Sequence, residues 1–240
     1  MPGLAPEVAL ATPDVKDQEM YLFIVPNNTA PSTVTAPVTI TADGSTPITG
    51  SATAQTITVD SIALPQPIQV GQFLCFNSPA DGRYLFEVTA VATGTVTELT
   101  GIAIEGIPDN ATAEFPTRMQ GQLSLETSET TGTNTFATWD HDSGADVSRG
   151  DATNSLTSSA SDGYYNAGMQ TLIYASRNGL DMGFVIEIPN EDATAFATPA
   201  YDYGVGIVTD TSKTDSNGKM ARSLGLSVRG AITRTRPVAA

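Results

Sequence analysis

Cysteine and histidine are almost absent from this chain. Among its 240 residues, Cys75 and His141 are the single members of their types. One cysteine cannot form an intrachain disulfide, so Cys75, in the apolar run 73–76, is expected to be a free, buried thiol. A structural zinc site needs four cysteine or histidine ligands, and the chain does not contain four. The fold is therefore not expected to depend on disulfides or on zinc.

Charged residues are also scarce, and basic ones are the scarcest. The chain has 11 Lys and Arg against 26 Asp and Glu, so its net charge is −15, and only 15% of its residues are charged. Soluble domains usually reach about 25%. General affinity for nucleic acid needs Lys and Arg against phosphates, so this balance argues against a nucleic-acid-binding protein.

Long apolar runs are missing as well. No stretch approaches the roughly 18 apolar residues of a membrane span. The N-terminus lacks the basic start and the apolar segment of a secretory signal. The sequence therefore predicts a soluble protein made in a cytoplasm.

Patterns typical of enzymes are weak. The nucleophile-elbow pattern Gly-x-Ser-x-Gly and a phosphate-binding glycine loop are both absent. His141 is flanked by Asp140 and Asp142, but adjacent residues of an extended chain point to opposite faces and do not converge on a metal. Residues 142–146 lack the spacing and the terminal Glu of a calcium loop. We predict a non-enzymatic protein with no catalytic residue, no cofactor and no metal ligand.

What the chain does have is a series of short β-type runs separated by turn residues. The run 56–59 alternates polar and apolar residues, which is the pattern of a half-buried strand. Asp43-Gly44 and Asn217-Gly218 are typical hairpin turns. Spacings of roughly 8 to 12 residues between runs predict a small barrel or sandwich. Strands are predicted at 21–25, 38–41, 56–59, 73–76, 84–91, 96–100, 102–107, 122–127, 182–188, 205–209 and 224–235.

One helix is predicted, near 164–177. Ser161 or Asp162 would be its N-cap, and Asn178-Gly179 would end it. A single helix among many strands is expected to cover one face of a sheet. The preceding polar stretch, 140–162, is either a flexible loop or a polar hairpin that orders only against a neighbouring molecule. We expect it to be mobile in a free subunit.

These patterns divide the chain into three parts. Residues 1–20 are an N-terminal arm, 21–117 a β-rich region that is a possible inserted or accessory module, and 118–240 a β-sandwich carrying the helix. From residue 213 onward the chain has six basic residues and one acid. This basic segment is either ordinary decoration of a strand or a surface that docks on the acidic face of a neighbouring copy.

Residues 118–240 resemble the tail tube (major tail) proteins of long-tailed bacteriophages. The resemblance lies in the order of strand 122–127, a polar stretch, the helix "SASDGYYNAGMQTLIYASRNG", the strand "DMGFVIEIPN", "GVGIVTDTSK", the Asn-Gly turn and "LGLSVRGAITRTRP". Residues 34–117 resemble β modules of phage virion proteins in the rhythm "TITVDSIALPQPIQVGQFLCF".

The resemblance implies a mainly β fold, a β-sandwich or barrel of the tail-tube type with one flanking α-helix and an additional N-terminal β-rich region. It implies a structural virion protein whose copies join sheets edge to edge into a hexameric ring. Rings would stack into a tube that delivers the genome into the host. The partners implied are further copies of the chain, the tape measure, terminator and baseplate proteins, and a sheath in sheathed tails. DNA would only pass through, no membrane is involved, and the site of action is the virion tail, assembled in the host bacterial cytoplasm.

Two alternatives stay open on the sequence. One is another virion component, such as a head decoration or head–tail connector protein. The other is a carbohydrate-binding or adhesin β-sandwich.

Overall fold

The computed structural model describes residues 18–26, 37–42, 50–59, 64, 66–78, 82–91, 98–103, 105–137, 145–189, 199–216 and 219–235. Within these ranges the chain is mainly β with one helix, as predicted. The strands and the helix, in chain order, are β1 (Glu19–Val25), β2 (Val38–Thr41), β3 (Ser51–Thr58), β4 (Phe73–Ser78), β5 (Gly82–Val91), β6 (Glu98–Ala103), β7 (Thr112–Phe115), β8 (Thr117–Arg118), β9 (Gln122–Ala137), β10 (Ala145–Ser161), α1 (Ala167–Asn178), β11 (Asp181–Ile188), β12 (Ala200–Asp210), β13 (Lys213–Ser216), β14 (Lys219–Val228) and β15 (Thr233–Arg234).

The strands form two antiparallel sheets. The larger sheet has the order β8-β1-β11-β12-β14-β10-β9, with β13 paired to β14 and β15 paired to β12. The smaller sheet has the order β2-β7-β4-β5-β6-β3. A bridge between Ala42 and Val59 joins the ends of its two outer strands, so this sheet curls into a partial barrel.

The first strand shows how the layers are arranged. Because side chains alternate across a strand, β1 fills two cores at once. Tyr21, Phe23 and Val25 pack with residues of the smaller sheet. Met20, Leu22 and Ile24 pack in a second cluster with residues of the helix. The larger sheet is therefore the middle layer, and the helix covers one of its faces, as expected.

The position of β1 changes how the chain divides. The sequence grouped residues 21–25 with the region 21–117, but β1 pairs with β11 over seven residue pairs and belongs to the larger sheet. It also includes Glu19 and Met20, which the sequence placed in the arm. The smaller sheet is made of residues from 38 to 115 and shares a core with Val185 and Val205 of the larger sheet.

Of the two alternatives for 140–162, the structure favours the polar hairpin, and the flexible loop is wrong from residue 145 onward. Residues 145–161 form β10, which pairs with β9 on one side and with β14 on the other. Among residues 153–161, where burial is described, the buried positions are Asn154, Leu156, Ser158 and Ala160. Three of these four are polar or small, so this part of the sequence lacks the alternation of polar and apolar residues by which a strand is recognised. Residues 140–144, with His141, lie outside the described residues.

The helix begins later than predicted. Its N-cap is Asn166, whose side chain accepts a hydrogen bond from the Met169 N–H. Ser161 is instead the last residue of β10, and the Asp162 carboxylate is bound by basic side chains. The predicted C-cap is confirmed, because Gly179 has a φ of 63°, in the left-handed region where glycine is favoured.

Two strand boundaries also differ. The predicted final strand is split, since β14 ends at Val228 and Gly230 turns the chain with a φ of 75° before β15. The two predicted strands over 96–107 are replaced by β6, and β7 lies between β2 and β4. Cys75 is buried, as expected.

Candidate assembly interface

The longest strand edge of the larger sheet is the outer edge of β9. This strand has 16 residues and lies at the end of the sheet, with β10 as its neighbour on one side. Every side chain from Glu126 to Thr131 is exposed, so both faces of the strand are in solvent there. Leu123, beside a register shift in the pairing with β10, has 65% of its surface exposed. We call the paired strands β9 and β10 the ribbon.

Strand β9 lacks three of the devices that protect exposed edges. Natural edge strands are commonly blunted by lysine, by proline or by being very short. Residues 122–137 contain no Lys and no Pro. Their neighbours across the register are largely Ser and Thr, as in the pairs Ser128–Ser155 and Thr130–Thr153. An edge of this length and composition is a template for another chain.

At the other end of the sheet, backbone groups on the edge of β1 are bonded to residues of the same chain. Strand β8 covers β1 only at Tyr21 and Leu22. Further along β1, the side chain of Gln72 makes the hydrogen bonds that a neighbouring strand would make. Its Oε1 accepts a hydrogen bond from the Ile24 N–H at 3.1 Å, and its Nε2 donates to the Leu22 carbonyl at 3.4 Å. Joining the same sheet from copy to copy needs two open edges, and β1 does not offer the second.

The C-terminal basic residues are engaged inside the chain. Lys213 and Arg222 bind Asp162 at 3.1 and 3.4 Å, and Arg229 binds Asp181 at 2.8 Å. Arg234 holds Asp202 through two hydrogen bonds of 2.6 Å. Of the two alternatives for the basic segment, these four side chains therefore favour the first, decoration of the strands, because each pairs with an acid of its own chain. Arg236 and the side chain of Lys219 lie outside the described residues.

Asp162 makes the stability of the subunit depend on pH. Burial by itself would raise the pKa of this carboxyl, but hydrogen bonds and charge from Lys213 and Arg222 outweigh it and lower the pKa. A carboxyl whose pKa is lower in the folded state stabilises the fold above its ordinary pKa of about 4, and this contribution is lost as the pH falls below that value. Asp162→Asn should therefore lower Tm at pH 7, and the difference from the wild type should shrink below about pH 4.

Calorimetry at several pH values measures this difference, with the exposed Glu98→Gln as the control. A destabilisation of equal size at pH 7 and at pH 3 would contradict the role given to the Asp162 charge.

Among the described residues, no three His, Cys, Asp or Glu side chains are placed to hold a metal ion together. The helix α1, the one helix in those ranges, is too short and too polar to cross a membrane.

Comparisons with known proteins add little. No protein-family model matches the chain, and no curated protein matches it significantly. Among solved structures, the chain is similar to one described as "Tail of empty GTA particle computed with helical refinement, C6 symmetry". The two share 16% sequence identity over 49% of this chain and 84% of the other, with a TM-score of 0.39. A likeness at that TM-score does not establish a common fold.

Proposed function

We propose that this protein is the structural subunit of a phage tail tube, assembling into stacked rings that form a conduit for the genome. The observation that carries the proposal is the ribbon. A 16-residue strand with an open edge and six consecutive exposed residues is an aggregation hazard in a monomer. In an ordered assembly the same strand is a contact between subunits.

The order of elements on which the sequence resemblance rests is present in the fold. The polar ribbon leads into one helix and then into β11, which ends just before Pro189. Strands β13 and β14 follow later in the chain and pair with Ser216 opposite Lys219, while Asn217 and Gly218 lie outside the described residues. The resemblance to tail tube proteins therefore has matching elements in the right order.

A ring is the closed form that such a subunit favours. The open edge of β9 and the closed edge of β1 are different surfaces, so contact between copies is head to tail. Head-to-tail contacts produce rings where the rotation closes. Six copies is the number that the sequence resemblance implies, and it is part of the proposal.

The acidic charge suits a tube through which DNA passes. Each copy carries a net charge of −15, and a ring multiplies it. A negative wall repels phosphates, so the proposed lumen would let DNA slide without holding it. The proposed partners are other copies, the tape measure, terminator and baseplate proteins, and a sheath where one exists. The proposed location is the virion tail.

Assembly of the purified protein tests the proposal. We expect sedimentation velocity to show species that grow with concentration, and negative-stain images to show rings and stacked tubes. A head decoration or connector protein would give single rings or none, and an adhesin would stay monomeric. A monomer at every concentration, even when seeded with sheared assemblies from an expression lysate, would refute self-assembly.

A further inference from the structure

A groove runs along the surface at the base of the ribbon. One part is lined by Gln18, Glu19, Arg83, Arg118 and residues 119–122, and has a volume of about 410 Å³. The second part, of about 280 Å³, is lined by Ser161, Gly163, Tyr164, Tyr165 and Asn166. Both parts share Arg83, Gln120 and Gly121, so they form one continuous surface, which we call the Arg83 groove.

The lining of the Arg83 groove carries more positive than negative charge, and Glu105 and Glu187 lie beside it, against Tyr165 and Glu19. Its lining has two guanidinium groups and one carboxylate, a balance of +1 on a chain of −15. Glu19 is already taken, since it pairs with Arg118 and accepts a hydrogen bond from the Tyr21 hydroxyl. Arg83 donates to the Gln120 side chain at 2.8 Å, and no carboxylate of the described residues forms an ion pair with it.

A second group in the groove lacks a partner. Both polar atoms of the Gln122 side-chain amide are buried and make no hydrogen bond among the described residues. Buried amides are normally hydrogen-bonded, so an amide without a partner indicates a place for one. The Arg83 groove therefore lacks two things, a carboxylate for Arg83 and a donor–acceptor pair for Gln122.

The ribbon carries both of them. Glu126 lies on β9, is exposed, and forms no ion pair among the described residues. It lies opposite Thr157, and its neighbours on the same face of β9 are Ser124 and Ser128. The unpaired edge of β9 supplies backbone N–H and C=O groups. An extended segment with one carboxylate is what an arginine beside an unpaired amide recognises.

We propose that the Arg83 groove receives the ribbon of a second copy of this chain, with Glu126 of one copy bound to Arg83 of the next. This inference rests on the proposed self-assembly and names its contact. The groove includes Glu19 of β1 and Arg118 of β8, so it lies beside the edge that Gln72 closes. The ribbon docks there without continuing the sheet.

A charge-swap experiment on the full-length protein tests the contact. Arg83→Glu and Glu126→Arg, each alone, should raise the critical concentration for assembly by at least about tenfold, because each places like charges together. The double variant should return to within about threefold of the wild type, because the pair is restored with its charges exchanged. The readout is the pelleted fraction against protein concentration, with circular dichroism to check the fold.

The chain offers matched controls. Glu129 is the same residue type on the same strand but lies on the opposite face, so Glu129→Arg should not rescue Arg83→Glu. Arg177, an exposed arginine in the last turn of α1, should be replaceable by Glu without effect on assembly.

Two outcomes would contradict the contact between Glu126 and Arg83. Rescue by Glu129→Arg, or no rescue by Glu126→Arg, would assign the groove to another segment. If the wild type assembles and Arg83→Glu does too, this inference alone is wrong; if the wild type never assembles, the proposed function is wrong.

Discussion

Shortening the ribbon is expected to weaken assembly while leaving the subunit folded, because it removes seven of the 16 residues of the β9 edge but keeps Glu126. Thr130 and Thr153 lie directly opposite each other in the register of β9 and β10. Residues 131–152 can therefore be replaced by Asn-Gly, which closes a two-residue hairpin without shifting the pairs that remain. The described buried positions of β10 start at Asn154, so no described core residue is lost.

The shortened variant should melt within about 2 °C of the wild type, since surface changes usually cost less than about 0.5 kcal/mol. Sedimentation should show a monomer at concentrations where the wild type forms rings or tubes. Normal polymerisation of the shortened protein would contradict the role given to the ribbon. A deletion that extended to residue 158 would not be an equivalent test, because it would remove Leu156, which is fully buried, and most of the pairing with β14.

Replacing Gln72 by Leu is expected to cause the largest loss of stability of any single substitution considered for this fold. Gln72 is fully buried where β1, β4, β8 and α1 meet. Besides its bonds to the backbone of β1, its Nε2 donates to Thr117 Oγ1 at 2.8 Å and lies 3.3 Å from Thr171 Oγ1. Leucine has a similar size but leaves the Ile24 N–H and the Leu22 carbonyl without partners at a dry edge.

Loss of several buried hydrogen bonds should cost about 3 kcal/mol. For a chain of this length, that lowers Tm by roughly 6 to 12 °C. Gln69→Leu is the matched control, since the Gln69 side chain makes one long hydrogen bond, to the Pro67 carbonyl at 3.4 Å. Equal melting temperatures for the Gln72 and Gln69 variants would show that Gln72 does not hold the edge of β1.

The apolar strands could be predicted from the sequence, and the polar ones could not. Residues 21–25 and 182–188 are rich in large apolar residues, and the structure has strands there that are buried on both faces. The ribbon was predicted only in part, as strand 122–127 and as one of two alternatives for 140–162, because Ser, Thr and Asn occupy both of its faces. Its register with β14 joins residues sixty or more positions apart, and a single sequence does not specify such a register.

Close packing of aromatic rings on glycines of neighbouring strands could not be predicted from the sequence either. Phe23 and Gly183 are directly opposite in the register of β1 and β11. A Cβ at Gly183 would lie 2.1 Å from the Phe23 ring, so the ring rests on the bare backbone of the glycine. Phe184 lies over Gly204 in the same way on the next strand pair. Such pairs follow from register, and a single sequence does not specify register.

The candidate interface was likewise predictable only in part from the sequence. The charge-poor, Thr-rich surface and the likeness to tail tube proteins could be recognised from composition and order. The side chain that closes the edge of β1 could not, because Gln72 is a single polar residue with no periodic signal. The same holds for the N-cap of the helix. Asn166 is the N-cap while Asp162, four residues earlier, is occupied by Lys213 and Arg222.

Cryo-electron microscopy of the assembled protein tests the central claim most directly. We expect stacked rings of six copies around a channel, with the ribbon of each copy buried against a neighbour and the outer edge of β9 no longer in solvent. Assemblies in which that edge faces solvent, or a protein that stays monomeric under every condition, would contradict the account.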